Sequence, residues 1–383
     1  MVAPLIPRLA AAFHVPDERI GLVVPAYLIP YGVATLVYGV LSDRVGRRRL
    51  ILGSLGAFVV LTAATATAQS ATQLLLWRLA TGLGASAVVP LSLALLGALY
   101  PFAQRGRPLG WIFGAMAGGA AFGSTLGVVL APLLGWRGLF AGVSALGAVA
   151  LGALLPLRHL LGEPAPASAP RQSPRELLAF YGTLLGSARG GRTYAYVFLN
   201  AVFHGGVFTW LGVYFARRYH LGDTAIGLAL LGYGIPGFLL GPAIGRVADR
   251  HGRRRLIPAG VALAALSAGL LALDLPLAVA VAAVTLLSLG YDMTQPLFAG
   301  VVTALGGKRG GQAMGLNVFA LFTGFGLASW AFGAALRLGM GAALAVFAAA
   351  QCAAALVAFP LFADEGTPVP AAPTSASGKG IGP

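Results

Sequence analysis

Apolar residues run through this chain in blocks of helical length, separated by short polar breaks. They show none of the strict alternation that a half-buried strand requires. The blocks fall at residues 20–42, 50–69, 72–100, 109–133, 138–158, 192–217, 224–245, 256–273, 276–304, 312–336 and 340–362. Roughly 20 residues cross a hydrocarbon core, so eleven transmembrane helices are predicted, with an apolar fragment over residues 1–13 ahead of them. The longest polar interval, His159 to Gly191, contains Glu163-Pro164-Ala165-Pro166 and reads as a linker. It divides an N-terminal bundle, residues 1–158, from a C-terminal bundle, residues 192–362. Ser173-Pro174 is a helix start signal, which predicts a short surface helix around Arg175–Ser187 within the linker. Residues 363–383 are rich in Pro, Ala, Ser, Thr and Gly and are expected to form a disordered tail.

Composition narrows the class. Hydrophobic residues make up 58% of the 383 and charged residues 10%, with a mean hydropathy of +0.83. A soluble domain carries about 25% charge, so a soluble enzyme is excluded. The net charge of +15 would otherwise point to nucleic acid. Here the basic residues sit in short loops clamped between apolar blocks. Nineteen of the 26 lie on the linker side, six on the other, and Arg78 lies inside a block. By the positive-inside rule the linker and both termini are cytoplasmic, in an inner (plasma) membrane. One cysteine, Cys352, leaves no disulfide framework. No P-loop sequence is present, so ATP is not the expected energy source. No metal or other cofactor is expected, and no nucleic-acid partner.

Residues 14–50 align without a gap on residues 220–256, with 16 identities in 37. The matches include His14/His220, Tyr27/Tyr233, Pro30/Pro236, Asp43/Asp249 and Gly46/Gly252. Parallel repeats of this kind build transporters from two halves related by an axis along the membrane normal. The same offset places the start of a complete first helix about a dozen residues ahead of Met1, given the span length above. The first helix is therefore expected to be truncated here, with an upstream start codon as the favoured cause.

Within the repeat, residues 39–50 read GVLSDRVGRRRL and residues 245–256 read GRVADRHGRRRL. Gly39 and Gly245 let a neighbouring helix approach closely. Asp43 and Asp249 can accept hydrogen bonds from a helix N-terminus or pair with arginine across the halves. Gly46 and Gly252 permit a tight turn, and Arg44, Arg47, Arg250 and Arg253 complete the pattern. This pair of segments resembles the motif called A of the major facilitator superfamily, present once per half. The resemblance implies an all-α polytopic fold of two six-helix bundles related by a pseudo-twofold axis, and a gating role for both loops.

Arg78-Leu79-Ala80-Thr81-Gly82-Leu83-Gly84 resembles motif B of the same family, whose arginine is associated with proton coupling in related antiporters. A charge inside a span is costly and marks a functional candidate; snorkelling to the outer interface is the structural alternative. Gly119, Gly123 and Gly127, with Gly110, Gly114 and Gly118 as a second row, form a packing face and resemble motif C of drug–proton antiporters. Ser124 stands where those proteins usually carry proline, which weakens the antiport reading.

Asp292 is the only acidic residue deep in a span, beside Tyr291 and Gln295. His204 and Asn200 lie one turn apart in the seventh. The resemblance implies that helices 1, 4, 7 and 10 line a central cavity, so Arg78, His204 and Asp292 can share it. Carboxylate and imidazole groups both exchange protons, which makes a relay feasible; an interhelical hydrogen bond is the bland role for His204. The expectation is a monomeric, non-enzymatic secondary transporter in the lipid bilayer. It would export drugs or metabolites, with a small-molecule substrate and protons as partners. Uptake of a sugar or organic acid by symport or facilitation is the alternative, and a non-transporting membrane sensor a more distant one.

Overall fold

Helices account for every regular element among the residues that the computed structural model describes, 5–161 and 173–366. The first is α1 (Ile6–Phe13). The second span is a broken pair, α2 (Asp17–Gly21) and α3 (Pro25–Val45), and the third is α4 (Arg47–Ala66). The fourth is broken too, into α5 (Ala71–Ala85) and α6 (Val88–Leu99). One long element, α7 (Gly106–Leu154), carries the fifth and sixth spans and turns between them at Gly135, where φ is 63°. The linker helix α8 (Pro174–Gly186) leads to the seventh span, α9 (Ala188–Tyr219). The eighth is α10 (Asp223–Leu231) with α11 (Ile235–His251), and the ninth α12 (Leu256–Leu271). The tenth is α13 (Leu277–Asp292) with α14 (Gln295–Gly306), the eleventh α15 (Gly310–Ala335), and the twelfth α16 (Met340–Leu361). Every predicted block is thus a helix. Leu133, 80% exposed, and Trp330, 76% exposed, are outward side chains that a soluble fold would bury and a lipid-facing one need not.

The repeat is visible in the backbone. His14 and His220 both end a helix in the left-handed region at φ 54°. Gly46 and Gly252 turn at φ 91° and 77°, a region in which only glycine is unstrained. The predicted linker helix is present, held by a capping box in which Ser173 and Glu176 satisfy each other's backbone N–H groups.

The halves meet along two seams, α3 on α15 and α7 on α11. In the second, Gly110 and Gly114 lie directly against the carbonyls of Gly241 and Gly237, and a Cβ on Gly110 would strike the backbone opposite. This corrects the expected packing row. Gly119 and Gly123 face open space, whereas Gly110, Gly114 and Gly118 make the contact, and Gly127 is buried further along. Adjacent helix positions are about 100° apart, so a stripe one residue away looks elsewhere. In the first seam the one hydroxyl hydrogen of Thr35 is shared between the carbonyls of Gly32 and Gly315, at 2.6 and 2.8 Å. A hydrophobic cluster joins both halves there, including Tyr31, Leu93 and Phe113 from one and Val302, Met314 and Val318 from the other. Tyr181 and Leu184 of α8 belong to it, so this helix of the linker is packed on the bundle. Residues 363–366, assigned to the tail from sequence, are part of the folded body; Glu365 is buried. Residues 367–383 lie outside the described residues.

Candidate functional site

The arginine loops lie at one end of the molecule, where the halves are locked together. Asp249, near the end of α11, accepts hydrogen bonds from the backbone N–H groups of Gly106 (2.9 Å) and Arg107 (3.2 Å). These are orphan donors of the first turn of α7, and a carboxylate there also meets the positive end of the helix dipole. Of the two roles open to this aspartate, the helix N-terminus is the one realised across the seam. Its arginine neighbour is local: Arg253 Nη2 lies 3.5 Å away on the same loop.

Arg253 is 1% exposed. Its guanidinium lies 4.1 Å from the ring centroid of Phe102 and donates to the Phe102 carbonyl at 3.3 Å. Burial pulls its pKa below the ordinary arginine value, and Asp249 and Glu365 pull it back. Arg105 fills the neighbouring gap, donating to the carbonyls of Tyr100 and Gly97 and to Thr303 Oγ1 of the other half at 3.1 Å. Gly97 lies against Thr303, so α6 and α14 also close at this end. Arg250 is exposed, as is Arg44 in the first loop. In that loop Gly39 lies against the backbone of Gly311 and Gln312, the mirror of Gly245 against Gly106. The Asp43 side chain lies outside the described residues; Arg47 opens α4.

The second group of candidates lies deeper. The eighth and tenth spans break beside each other, at Tyr233 and at Met293–Thr294. His204 is fully buried, its Nδ1 3.2 Å from the Tyr233 hydroxyl and its ring edge-on to Tyr291 at 5.2 Å. Its Nε2 has no partner. Asp292 ends α13. Its Oδ2 is 3.2 Å from Ser288 Oγ, and its Oδ1 lies against Gly237 of α11 without a hydrogen bond of normal geometry. Ser288 Oγ is also 2.8 Å from the Tyr233 carbonyl. Gln295 opens α14, buried, with Nε2 unpaired.

Two predicted members stand apart. Asn200 belongs to a structural set: its amide donates to Thr294 Oγ1 at 2.8 Å, and its carbonyl accepts from Gln351 at 2.9 Å. Arg78 stays with the N-terminal half, 4.2 Å over the Tyr27 ring and 6.0 Å from that of Phe140. Among the described residues it makes no ion pair with Asp292. The shared cavity of Arg78, His204 and Asp292 is therefore not assembled in this conformation. Sequence reasoning missed Phe102 and Glu365. The acidic pair Asp364-Glu365, directly past the last span and at the level of five loop arginines, was the available signal for the second.

The pattern of the Major Facilitator Superfamily matches residues 1–225 and 197–382. The chain belongs to that family. It is 28% identical over 268 residues to the uncharacterized MFS-type transporter YwfA of Bacillus subtilis, covering 68% of this chain and 63% of that one. It is 34% identical over 142 residues to the chloramphenicol resistance protein of Pseudomonas aeruginosa, covering 37% and 34%. Its fold matches the human organic anion transporter MFSD10 (TETRAN) with a TM-score of 0.74 at 19% identity, over 93% of this chain and 88% of that one. The matches to YwfA and to a second Bacillus subtilis relative, YceJ, span 63% and 66% of those proteins' lengths, just under two thirds.

Proposed function

We propose that the chain is a secondary transporter of the plasma membrane that exports a small solute in exchange for protons by alternating access. The N-terminal bundle (1–158) and the C-terminal bundle (192–362) rock about a midplane site, joined by the linker 159–191. Both termini and the arginine loops are cytoplasmic under this reading. Family membership supports transport without enzymatic turnover. Relatives named for multidrug and chloramphenicol resistance support efflux.

One observation carries the coupling: among the described residues, a single carboxylate, Asp292, is buried at the junction of two broken spans with no cation paired to it. A charge held there without a counter-ion is costly, so binding and releasing a proton is the chemistry open to it. The cytoplasmic closure through Asp249, Arg253 and Arg105 gives the other half of the cycle, a gate whose opening admits solute.

The test is transport by the purified full-length chain in proteoliposomes under an imposed pH gradient, starting with chloramphenicol and a panel of cationic and neutral drugs. Gradient-driven solute movement against its concentration, with a counter-flow of protons, is the expected result. Solute movement that only follows its own gradient contradicts coupling, and protons moving with the solute mark symport instead.

A further inference from the structure

The segment past the last span reads from sequence as dispensable. Yet the Glu365 side chain is 2% exposed. A carboxylate at such a depth has to be compensated. Arg189 grips it as a fork, Nε to Oε1 at 2.6 Å and Nη2 to Oε2 at 2.7 Å. Arg192 adds Nη2 to Oε1 at 3.0 Å and also holds Asp364. These bonds tie the start of α9 to the end of α16, and taken alone they are a packing tie within the C-terminal half.

The backbone of Glu365 does something more. Its carbonyl accepts from the N–H groups of Arg253 and Arg254, at 2.8 and 2.9 Å. Those donors belong to the loop of residues 252–255, which turns at Gly252 in the positive-φ region that glycine adopts without strain. Arg253 then reaches Phe102 in the other half, and Asp249, one turn back, caps α7. An unbroken set of contacts thus runs from Glu365 to the N-terminal half.

We propose that Glu365 is a positioning residue of the cytoplasmic gate. Its side chain is anchored on Arg189 and Arg192, and its carbonyl fixes the height of the 252–255 loop so that Arg253 and Asp249 meet the opposite half. It lies in neither repeat motif. The inference rests on the alternating-access reading, but its test needs neither solute nor proton gradient.

Cys352 is the only cysteine and is exposed on α16, so Cys352→Ala supplies a cysteine-free background. Val302→Cys, fully buried on α14 behind the Gly97–Thr303 contact, reports opening. The full-length chain in right-side-out and inverted vesicles is labelled with a membrane-impermeant maleimide. Glu365→Gln should raise the labelling rate from the arginine-loop side about tenfold, a population shift of the size one lost latch produces. Ala283→Cys, buried in the core of the C-terminal half, should stay unlabelled. If Glu365→Gln does not fold, the double variant Arg189→Gln/Arg192→Gln, with Glu365 kept, takes its place with the same expectation. Asp249→Asn is the reference. Labelling unchanged in the Glu365 variant while Asp249→Asn opens the gate overturns the inference and leaves the gate reading standing. No opening in either variant overturns both. Labelling that rises equally at Ala283→Cys reveals general loosening and overturns the positioning role.

Discussion

Ser288 Oγ lies 2.8 Å from the carbonyl oxygen of Tyr233, across the gap between α13 and the break in the eighth span. A carbonyl only accepts, and a hydroxyl has one hydrogen to give. That one hydrogen is shared with Asp292, whose Oδ2 accepts from Ser288 Oγ at 3.2 Å. Ser288 thus ties the Asp292 carboxyl to the break in the eighth span.

Asp292→Asn fixes a neutral side chain of nearly the same shape. It should abolish accumulation driven by a pH gradient while leaving solute exchange close to the parent rate. Proteoliposome flux with and without the gradient separates the two. Full gradient-driven accumulation in the variant removes Asp292 as the coupling residue and passes the role to His204.

Asp249→Asn exchanges a charged acceptor at the α7 N-terminus for a neutral one. Hydrogen bonds to charged groups contribute about 1.5–3 kcal/mol, which corresponds to tenfold or more in a two-state balance. The inward-open population should rise by that factor, read as cysteine accessibility from the arginine-loop side. Equal accessibility in variant and parent counts against a latch.

The two glycine rows of α7 should respond oppositely. Gly110→Val places a side chain into the Gly241 carbonyl and should prevent the halves from closing, with loss of transport and of thermal stability. Gly119→Ala meets nothing within van der Waals reach and replaces the weaker helix former, by about 1 kcal/mol in water. Melting temperature and flux should be preserved or slightly raised; a collapse at Gly119 would place the contact stripe on the wrong face.

Asn200→Ala removes both partners of a buried amide, leaving Thr294 and Gln351 incompletely bonded at the break in the tenth span. About 1–3 kcal/mol of stability should be lost, seen as a lower melting temperature. Gradient coupling per folded molecule should persist, because the hydrogen bonds of the Asn200 side chain go to Thr294 and Gln351 and not to His204 or Asp292. Uncoupling without destabilisation would instead make Asn200 part of the proton path.

Much of the architecture was legible along the chain. Uninterrupted apolar blocks admit only helices in a bilayer, since each backbone group has to bond within its own segment. The repeat likewise predicted paired turns, because Gly46 and Gly252 have no competing way to satisfy so sharp a reversal. The capping box at Ser173 is a local device, and local devices can be read locally. What escaped were properties of distance and phase. Whether Gly110 or Gly119 faces the other half depends on a rotation of about 100° about the α7 axis, and both rows look alike in sequence. Asn200 and His204 share a helix face, yet Gln351 claims the first and Tyr233 the second, and neither partner is near in the chain. Arg78 and Asp292 are expected from the sequence to share one cavity, yet Arg78 is taken up by the Tyr27 ring of its own half. Glu365 is the sharpest case: an ordinary acidic residue before a polar tail, it became buried because the start of α9 and the 252–255 loop converge on the end of α16. Chain order determined the helices and the symmetry. Only the packing of ten or more helices against one another decided which polar atoms have partners, and therefore where the chemistry resides.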